Sequence, residues 1–172
     1  MMINEIQEDD FARHFLAAFA DLECGSKYDT RNPQHVRWVR RRLAIHCFRG
    51  ARFYACYAAE QVPVGFVSIL IDKGLEGVRC FGQWTEILDL LVLEGYRGKG
   101  YGKALLEQAE KASVEAGACC MYVHTYAGNR AAMSFYIKHG FVPVAMLPDV
   151  NGRDDEGDVY LRKILEKTSS RD

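Results

Sequence analysis

The sequence predicts an α/β domain in which a mixed sheet of about seven strands carries helices on both faces. Three observations predict it. Residues 53–93 hold three β-rich runs in succession, as antiparallel strands do. A glycine-rich turn at residues 98–102 then opens a helical stretch. Beyond that turn, strand and helix patterns alternate and two more β-rich runs follow, so the order is strands first and then β-α-β-α-β-β.

Residues 2–7 read as a short strand, and Asp9 or Asp10 as the cap of a helix whose apolar residues Phe11, Phe15, Leu16 and Phe19 recur at helical spacing. Pro33 opens a second helix running to about Phe48. FYACYAA (53–59) and VPVGFVSILI (62–71) are strands joined by a hairpin at Glu60-Gln61, and WTEILDLLVL (84–93) is a third long strand. Behind the glycine turn, Tyr101, Leu105, Ala109, Ala112 and Ala116 make a narrow apolar stripe, with Gly117 as its natural stop. CCMYVHTY (119–126) is a strand; Asn129 caps a helix reaching His139, and Gly140 ends it. FVPVAML and DVYLRKIL are two closing strands around an acidic loop.

With 172 residues, 49% hydrophobic and 26% charged, the chain fits one domain, residues 1–172, with residues 168–172 expected as a flexible tail. The net charge of -1 gives no global case for nucleic acid or an anionic membrane surface, and neither is expected as a partner. Local charge is uneven. Arginines 31, 37, 40, 41, 42, 49 and 52 occur with no acid between them, whereas Asp149, Asp154, Asp155, Glu156 and Asp158 face only Arg153. The six cysteines (24, 47, 56, 80, 119, 120) show no CxxC and no metal-ligand spacing, so reduced, mostly buried thiols are expected and a metal is not. The acidic start MMINEIQEDD lacks a signal pattern and no apolar run approaches the ~18 residues of a spanning helix, so the expected location is cytoplasmic.

Glycine costs about 0.5–1 kcal/mol relative to alanine wherever the backbone must be fixed. Gly98, Gly100 and Gly102 within YRGKGYGKALL (96–106) therefore need a reason. Three compete: a turn of awkward φ/ψ, a close helix–strand contact, or a loop whose backbone N–H groups approach an anion. A strand, a Gly-rich turn and a helix together form an anion site, because the first N–H groups of the helix lack internal partners and its positive dipole end faces the loop. The spacing excludes two better-known versions. A P-loop needs GxxxxGK[ST], whereas here Lys99 lies between the glycines and neither Ser nor Thr follows Lys103. A dinucleotide fingerprint needs GxGxxG, whereas the spacing here is GxGxG behind Arg97.

Arg97-Gly98-Lys99-Gly100-Tyr101-Gly102 matches the signature R/Q-x-x-G-x-G/A, and downstream Asn129, Ala132, Tyr136, Gly140 and Phe141 match N-x-x-A-x-x-x-Y-x-x-x-G-F. With these two motifs in order, and LDLLV (88–92) ahead of the first, the sequence resembles the GNAT superfamily of N-acetyltransferases, closely over residues 53–145 and in outline over the N-terminal helices. The resemblance implies a GNAT-like mixed, mostly antiparallel sheet, acetyl-CoA as cosubstrate, and direct acetyl transfer to a primary amine on a small molecule or peptide within a ternary complex. It allows a homodimer. It further implies that the amides of residues 97–102 hold the pyrophosphate, that the backbone of Leu91, Val92 and Leu93 pairs with the pantetheine arm, and that an N–H near Val92 polarises the thioester carbonyl. Arg97, Lys99, Tyr101 and Lys103 belong to the same expected set, and Asn129 serves as helix cap and coenzyme contact.

Acyl transfer to an amine also needs a group that accepts the amine's proton and one that protonates the leaving thiolate. Glu86 and Asp89 are the acids on the key strand. A regular strand places them on opposite faces, but a bulge of the family's kind shifts the register, and the resemblance leans to Asp89. Tyr136 is the expected proton donor; its plain alternative is an aromatic packed in the core beside Phe135. His124 is a weaker candidate for contact with the amine, and Cys119 and Cys120 are expected to be packing residues rather than acyl carriers.

The main rival reading is a non-catalytic acyl-CoA-binding domain that kept the cofactor loop. The acceptor is not legible, because the arginine stretch suits an acidic acceptor or the coenzyme's 3′-phosphate while the acidic loop suits a polyamine or aminoglycoside.

Overall fold

A computed structural model of the chain describes residues 1–24, 29, 31–72, 83–148 and 156–166. Cys80, residues 149–155 of the acidic loop and the expected tail at 168–172 lie outside them. The elements run β1 (Met2–Ile6), α1 (Glu8–Cys24), α2 (Pro33–Phe48), β2 (Arg52–Tyr57), β3 (Pro63–Asp72), β4 (Gln83–Val92), α3 (Tyr101–Glu115), β5 (Ala118–Tyr126), α4 (Arg130–Lys138), β6 (Val142–Leu147) and β7 (Asp158–Ile164).

The strands form a seven-stranded sheet in the order β1-β2-β3-β4-β5-β7-β6. β1–β2, β2–β3, β5–β7 and β6–β7 pair antiparallel, while β4–β5 is parallel with α3 as its crossover. The sequence predicts the seven strands but not the insertion of β7 between β5 and β6. That placement is decided by pairing between segments far apart in the chain.

One local expectation is corrected. Asp9 and Asp10 lie in the first turn of α1 rather than at its cap, for the helix starts at Glu8 and the Gln7 carbonyl accepts from the Phe11 N–H at 2.9 Å. Three acids, Glu8, Asp9 and Asp10, there complement the positive end of the helix dipole. β2 and β3 form the expected antiparallel hairpin, and its connection at Glu60-Gln61 is a 3-10 turn, Ala59–Gln61, with Gln61 at φ 59°. The other starts and stops fall where their chemistry predicts. Asn32 caps α2, accepting from the Gln34 N–H at 2.9 Å; Asn129 caps α4; and Gly117 and Gly140 follow their helices at φ +87° and +88°.

The chain divides into two compact units: Met1–Leu70 with Leu88–Ala109, and Ile71–Ile87 with Glu110–Asp172. In the first, Phe11, Phe15 and Phe19 recur every fourth residue along α1 and are fully buried. The Phe11 ring sits 4.8 Å from both Phe53 of β2 and Phe66 of β3, and α2 adds Val39 and Leu43. Each such side chain contributes about 1.5–3 kcal/mol by leaving water. Phe53–Cys56 and Phe66–Leu70 are buried without a break, so β2 and β3 are covered on both faces.

In the second unit one face of the sheet is packed. Thr85, Ile87, Met121, Val123 and Leu161 are buried there, and Tyr136 and Phe141 of the α4 region pack ring against ring at 5.4 Å. β6, at the sheet edge, has all six residues exposed. The four cysteines whose side chains are described, Cys47, Cys56, Cys119 and Cys120, carry thiols and form no disulfide.

β3 and the end of β4 approach unusually closely. A Cβ on Gly65 would stand 2.6 Å from the Leu91 carbonyl oxygen and 3.2 Å from both Val92 Cα and Cys56 Sγ. Gly65→Ala is therefore expected to destabilise the protein by about 1–3 kcal/mol, because backbone and not a flexible side chain must move. Urea unfolding with an unchanged midpoint would contradict this.

Candidate active site

The glycine turn follows β4 through a short 3-10 turn, Glu94–Tyr96. Gly98 and Gly100 adopt φ +73° and +88°, and nothing lies within 4 Å of where their Cβ atoms would be. The turn therefore needs glycine for its backbone angles, and the space beside it is open. α3 starts at once, with Tyr101 and Gly102 as its first residues and the Ala104 N–H donating to the Gly100 carbonyl at 3.1 Å. No acid occupies its first turn, so the protein itself leaves the positive end of the dipole unneutralised.

The cations of the turn serve the turn itself. Arg97 Nε donates to the Val92 carbonyl at 3.0 Å, Lys99 Nζ donates to the Gly95 carbonyl at 3.0 Å and sits 5.4 Å from the Tyr96 ring, and Lys103 pairs with Glu107 at 2.9 Å. Tyr101 meets Tyr96 edge to face at 6.1 Å.

The peptide groups at the end of β4 are divided between two edges. The Leu93 N–H donates to the Val64 carbonyl of β3 at 2.9 Å. Since successive N–H groups of an extended chain alternate in direction, that of Val92 points away from β3. The parallel β4–β5 ladder runs from Gln83↔Ala118 to Ile87↔Val123 and stops there, before Leu88–Val92.

The two acids of β4 occupy different environments. Thr85, Ile87 and Asp89 are buried in regular alternation, and the register shift of the β4–β5 pairing lies at Gln83/Trp84. The bulge expected between Glu86 and Asp89 is thus not expressed in the burial pattern, and Glu86 belongs to the alternate set. Asp89, 5% exposed, accepts from Ser68 Oγ at 2.5 Å, and its Oδ2 lies 3.5 Å from Nδ1 of buried His46.

Glu86 instead lines a cavity of about 320 Å³, together with Trp84, Cys120, Tyr122, Val123, His124 and Tyr160. His124 Nδ1 is 4.0 Å from Glu86 Oε1, and its ring stacks on Tyr160 at 5.3 Å and 26°. Trp84 meets Tyr122 edge to face at 5.5 Å. Cys120 is a poor nucleophile there, because burial pushes its thiol up and the neighbouring Cys119 adds to that. Trp84, Tyr122 and Tyr160 went unrecognised in the sequence. Trp84-x-Glu86 and Tyr122-x-His124 carry the period-two signal, but Tyr160 becomes visible only once β7 is known to pair with β5.

Tyr136 is buried in α4 at 6% exposure, its ring 5.2 Å from Phe135 and 5.4 Å from Phe141. Asn129 accepts from the Ala132 N–H at 3.1 Å. Among the described residues no group of three or more His, Cys, Asp or Glu could hold a metal ion, and no helix is long and apolar enough to cross a membrane.

An open glycine turn at a helix start, behind a strand whose outer peptides its neighbour does not use, defines a class of coenzyme-binding α/β proteins. The chain belongs to the acetyltransferase (GNAT) family, whose model matches residues 6–141. Streptothricin acetyltransferase A of Bacillus subtilis (strain 168) is 30% identical over 89 residues, 50% of this chain and 51% of that protein, so the match spans about half the length of this curated relative. The fold is shared with a ribosomal-protein-alanine N-acetyltransferase from Brucella melitensis, with TM-score 0.70 and 21% identity over 96% of this chain and all of that one (100%). It is shared too with an aminoglycoside 6′-N-acetyltransferase in complex with coenzyme A, with TM-score 0.68 and 18% identity over 96% of this chain and 98% of that one.

The separation of the two acids has a measurable consequence. Asp89→Asn is expected to cost about 1–3 kcal/mol of stability, because the Asp89 carboxylate is buried among its partners. Glu86→Gln should stay within about 0.5 kcal/mol of the parent protein. Equal losses in urea titrations of the two variants would contradict the assignment of environments.

Proposed function

We propose that the protein is an acetyl-CoA-dependent N-acetyltransferase that moves the acetyl group directly to a primary amine within a ternary complex, on a single domain spanning residues 1–172. The observation that carries this reading is the glycine turn, open at Gly98 and Gly100 and placed at the start of α3 directly behind β4. Its amides and the helix dipole suit a pyrophosphate, because a Cβ at either position would strain the turn and fill the open space. Arg97 and Lys99 hold the turn in shape while keeping positive charge near it.

The thioester carries the acetyl group in activated form; the chain supplies the rest. The β4–β5 ladder ends at Ile87, which supports the outer edge of β4 beyond it as the place for an extended arm, with Leu91, Val92 and Leu93 as the expected contacts. The Val92 N–H, directed away from β3, is the donor we assign to the thioester carbonyl, since the Leu93 N–H is already used by Val64. Glu86 first takes one proton from the incoming ammonium, directly or through water, so that the neutral amine attacks the thioester carbonyl and the C–N bond forms. As the C–S bond breaks, Tyr136 gives its phenolic proton to the sulfur, and the second proton of the nitrogen passes through water to the tyrosinate, leaving an amide, a free thiol and a protonated Glu86 that releases its proton to solvent. The sequence alone leans to Asp89 as the amine's acid; burial against Ser68 and His46 supports a positioning role for it, holding β4 to β3 and α2. Two proteins that share the fold are N-acetyltransferases, which supports an amine as acceptor.

Gly100→Glu is expected to raise the acetyl-CoA dissociation constant at least about 100-fold in calorimetry while the circular dichroism spectrum stays native, because a side chain and a like charge enter the pyrophosphate's place. Unchanged affinity in the folded variant would remove the turn from the binding site. Turnover separates an enzyme from a mere coenzyme binder. Tyr136→Phe should lower kcat by about 10²–10⁴-fold with acetyl-CoA affinity nearly unchanged. A similar loss in Glu86→Gln should shrink as pH rises and the amine reaches its neutral form unaided. A Tyr136→Phe protein keeping half of the parent kcat would exclude the donor role, and an acetylated enzyme seen by mass spectrometry without acceptor would exclude direct transfer.

A further inference from the structure

The cavity beside Glu86 is built from three strands whose registers bring one face together. Trp84 and Glu86 of β4 stand opposite Cys120 and Tyr122 of β5, and His124 stands opposite Tyr160 of β7. Because side chains of a strand alternate between faces, Trp84, Glu86, Tyr122, His124 and Tyr160 project from one side of the sheet. Their rings form two pairs, Trp84 with Tyr122 and His124 with Tyr160. Among the described lining residues Glu86 is the single carboxylate.

Resting on the reading of Glu86 as the amine-facing acid, we infer that this cavity selects the acceptor as a monocationic amine carried on an aromatic or other flat apolar body, and discriminates against polyamines and acidic acceptors. Aromatic rings attract an ammonium ion through their negative faces and cover apolar surface at the same time. One carboxylate neutralises one charge. A second ammonium group would find no second acid among the described lining residues, and Arg162, opposite Tyr122 in the β5–β7 ladder, adds a positive charge on the same side of the sheet. An acidic acceptor would meet Glu86 itself. A volume of about 320 Å³ is at the small end for ligand sites and matches a compact aromatic amine better than a polycyclic polycation.

The test is calorimetric binding of 2-phenylethylamine, 2-phenylethanol and spermidine to the full chain without acetyl-CoA, followed by acetyl-CoA turnover with both amines. 2-Phenylethylamine is expected to bind at least about 10-fold more tightly than its neutral alcohol, and about 10-fold less tightly to Tyr160→Leu or Trp84→Leu, with Tyr160→Phe close to the parent. Its kcat/KM should exceed that of spermidine. Equal binding of amine and alcohol, tighter binding of spermidine, or indifference to both leucine variants would overturn the inference. Should Tyr160→Leu fail to fold, Trp84→Leu and the ligand ranking on the parent protein decide alone. The two readings fail separately. The expected binding pattern with no acetyl transfer to any amine would sink the proposed activity and leave the cavity's selectivity standing. Acetylation of spermidine in preference to 2-phenylethylamine would do the reverse.

Discussion

The close approach of two backbones at Gly65 is the constraint on which the site rests. With the Leu91 carbonyl oxygen only 2.6 Å from the place of a Cβ, β3 holds the last residues of β4 at a distance that no other residue permits. The bond from the Leu93 N–H to Val64 closes the same contact from the other side. Everything that follows β4, the 3-10 turn, the open glycines and the start of α3, is aimed from this anchored end. A loop that must present amides to an anion works only if its two ends are rigid, and here one end is a strand clamped by backbone contact and the other a helix.

Asp89 extends the same clamp with polar chemistry. A buried carboxylate is costly unless its oxygens are satisfied, and Ser68 supplies a donor while His46 closes the pocket from α2. The cluster links β3, β4 and α2 in a way that apolar packing would not, because hydrogen bonds specify direction as well as contact. Three residues earlier on the strand, Glu86 sits half-buried among aromatic rings, so two like side chains of one strand stand in different environments.

Much of this was legible in the sequence because the signals are local. The glycine turn, the caps at Asn32 and Asn129, and the stops at Gly117 and Gly140 each depend on a few neighbouring residues, and the family motifs fall on two of these segments. The buried face of α3 is wider than its apolar stripe: Leu106 and Ser113, seven residues apart on the row beside Leu105 and Ala112, are buried as well. What could not be read is non-local. The separate fates of Glu86 and Asp89 depend on Ser68, His46 and His124, and the cavity depends on Tyr160 arriving opposite His124. Period-two alternation places residues on a face but does not say which strand lies alongside.

The insertion of β7 between β5 and β6 bears on how the protein is made. β7 follows β6 in synthesis yet lies inside the sheet, so β6 can join the sheet only through a strand that emerges from the ribosome later. A nascent chain ending before Asp158 lacks Tyr160 and the ladder that orders β5 on that side, while the phenylalanine cluster of α1, β2 and β3 is already complete. Core formation and site formation are therefore separate events in the life of this chain, and a translating ribosome carries a hydrophobically collapsed N-terminal unit well before the aromatic cavity exists.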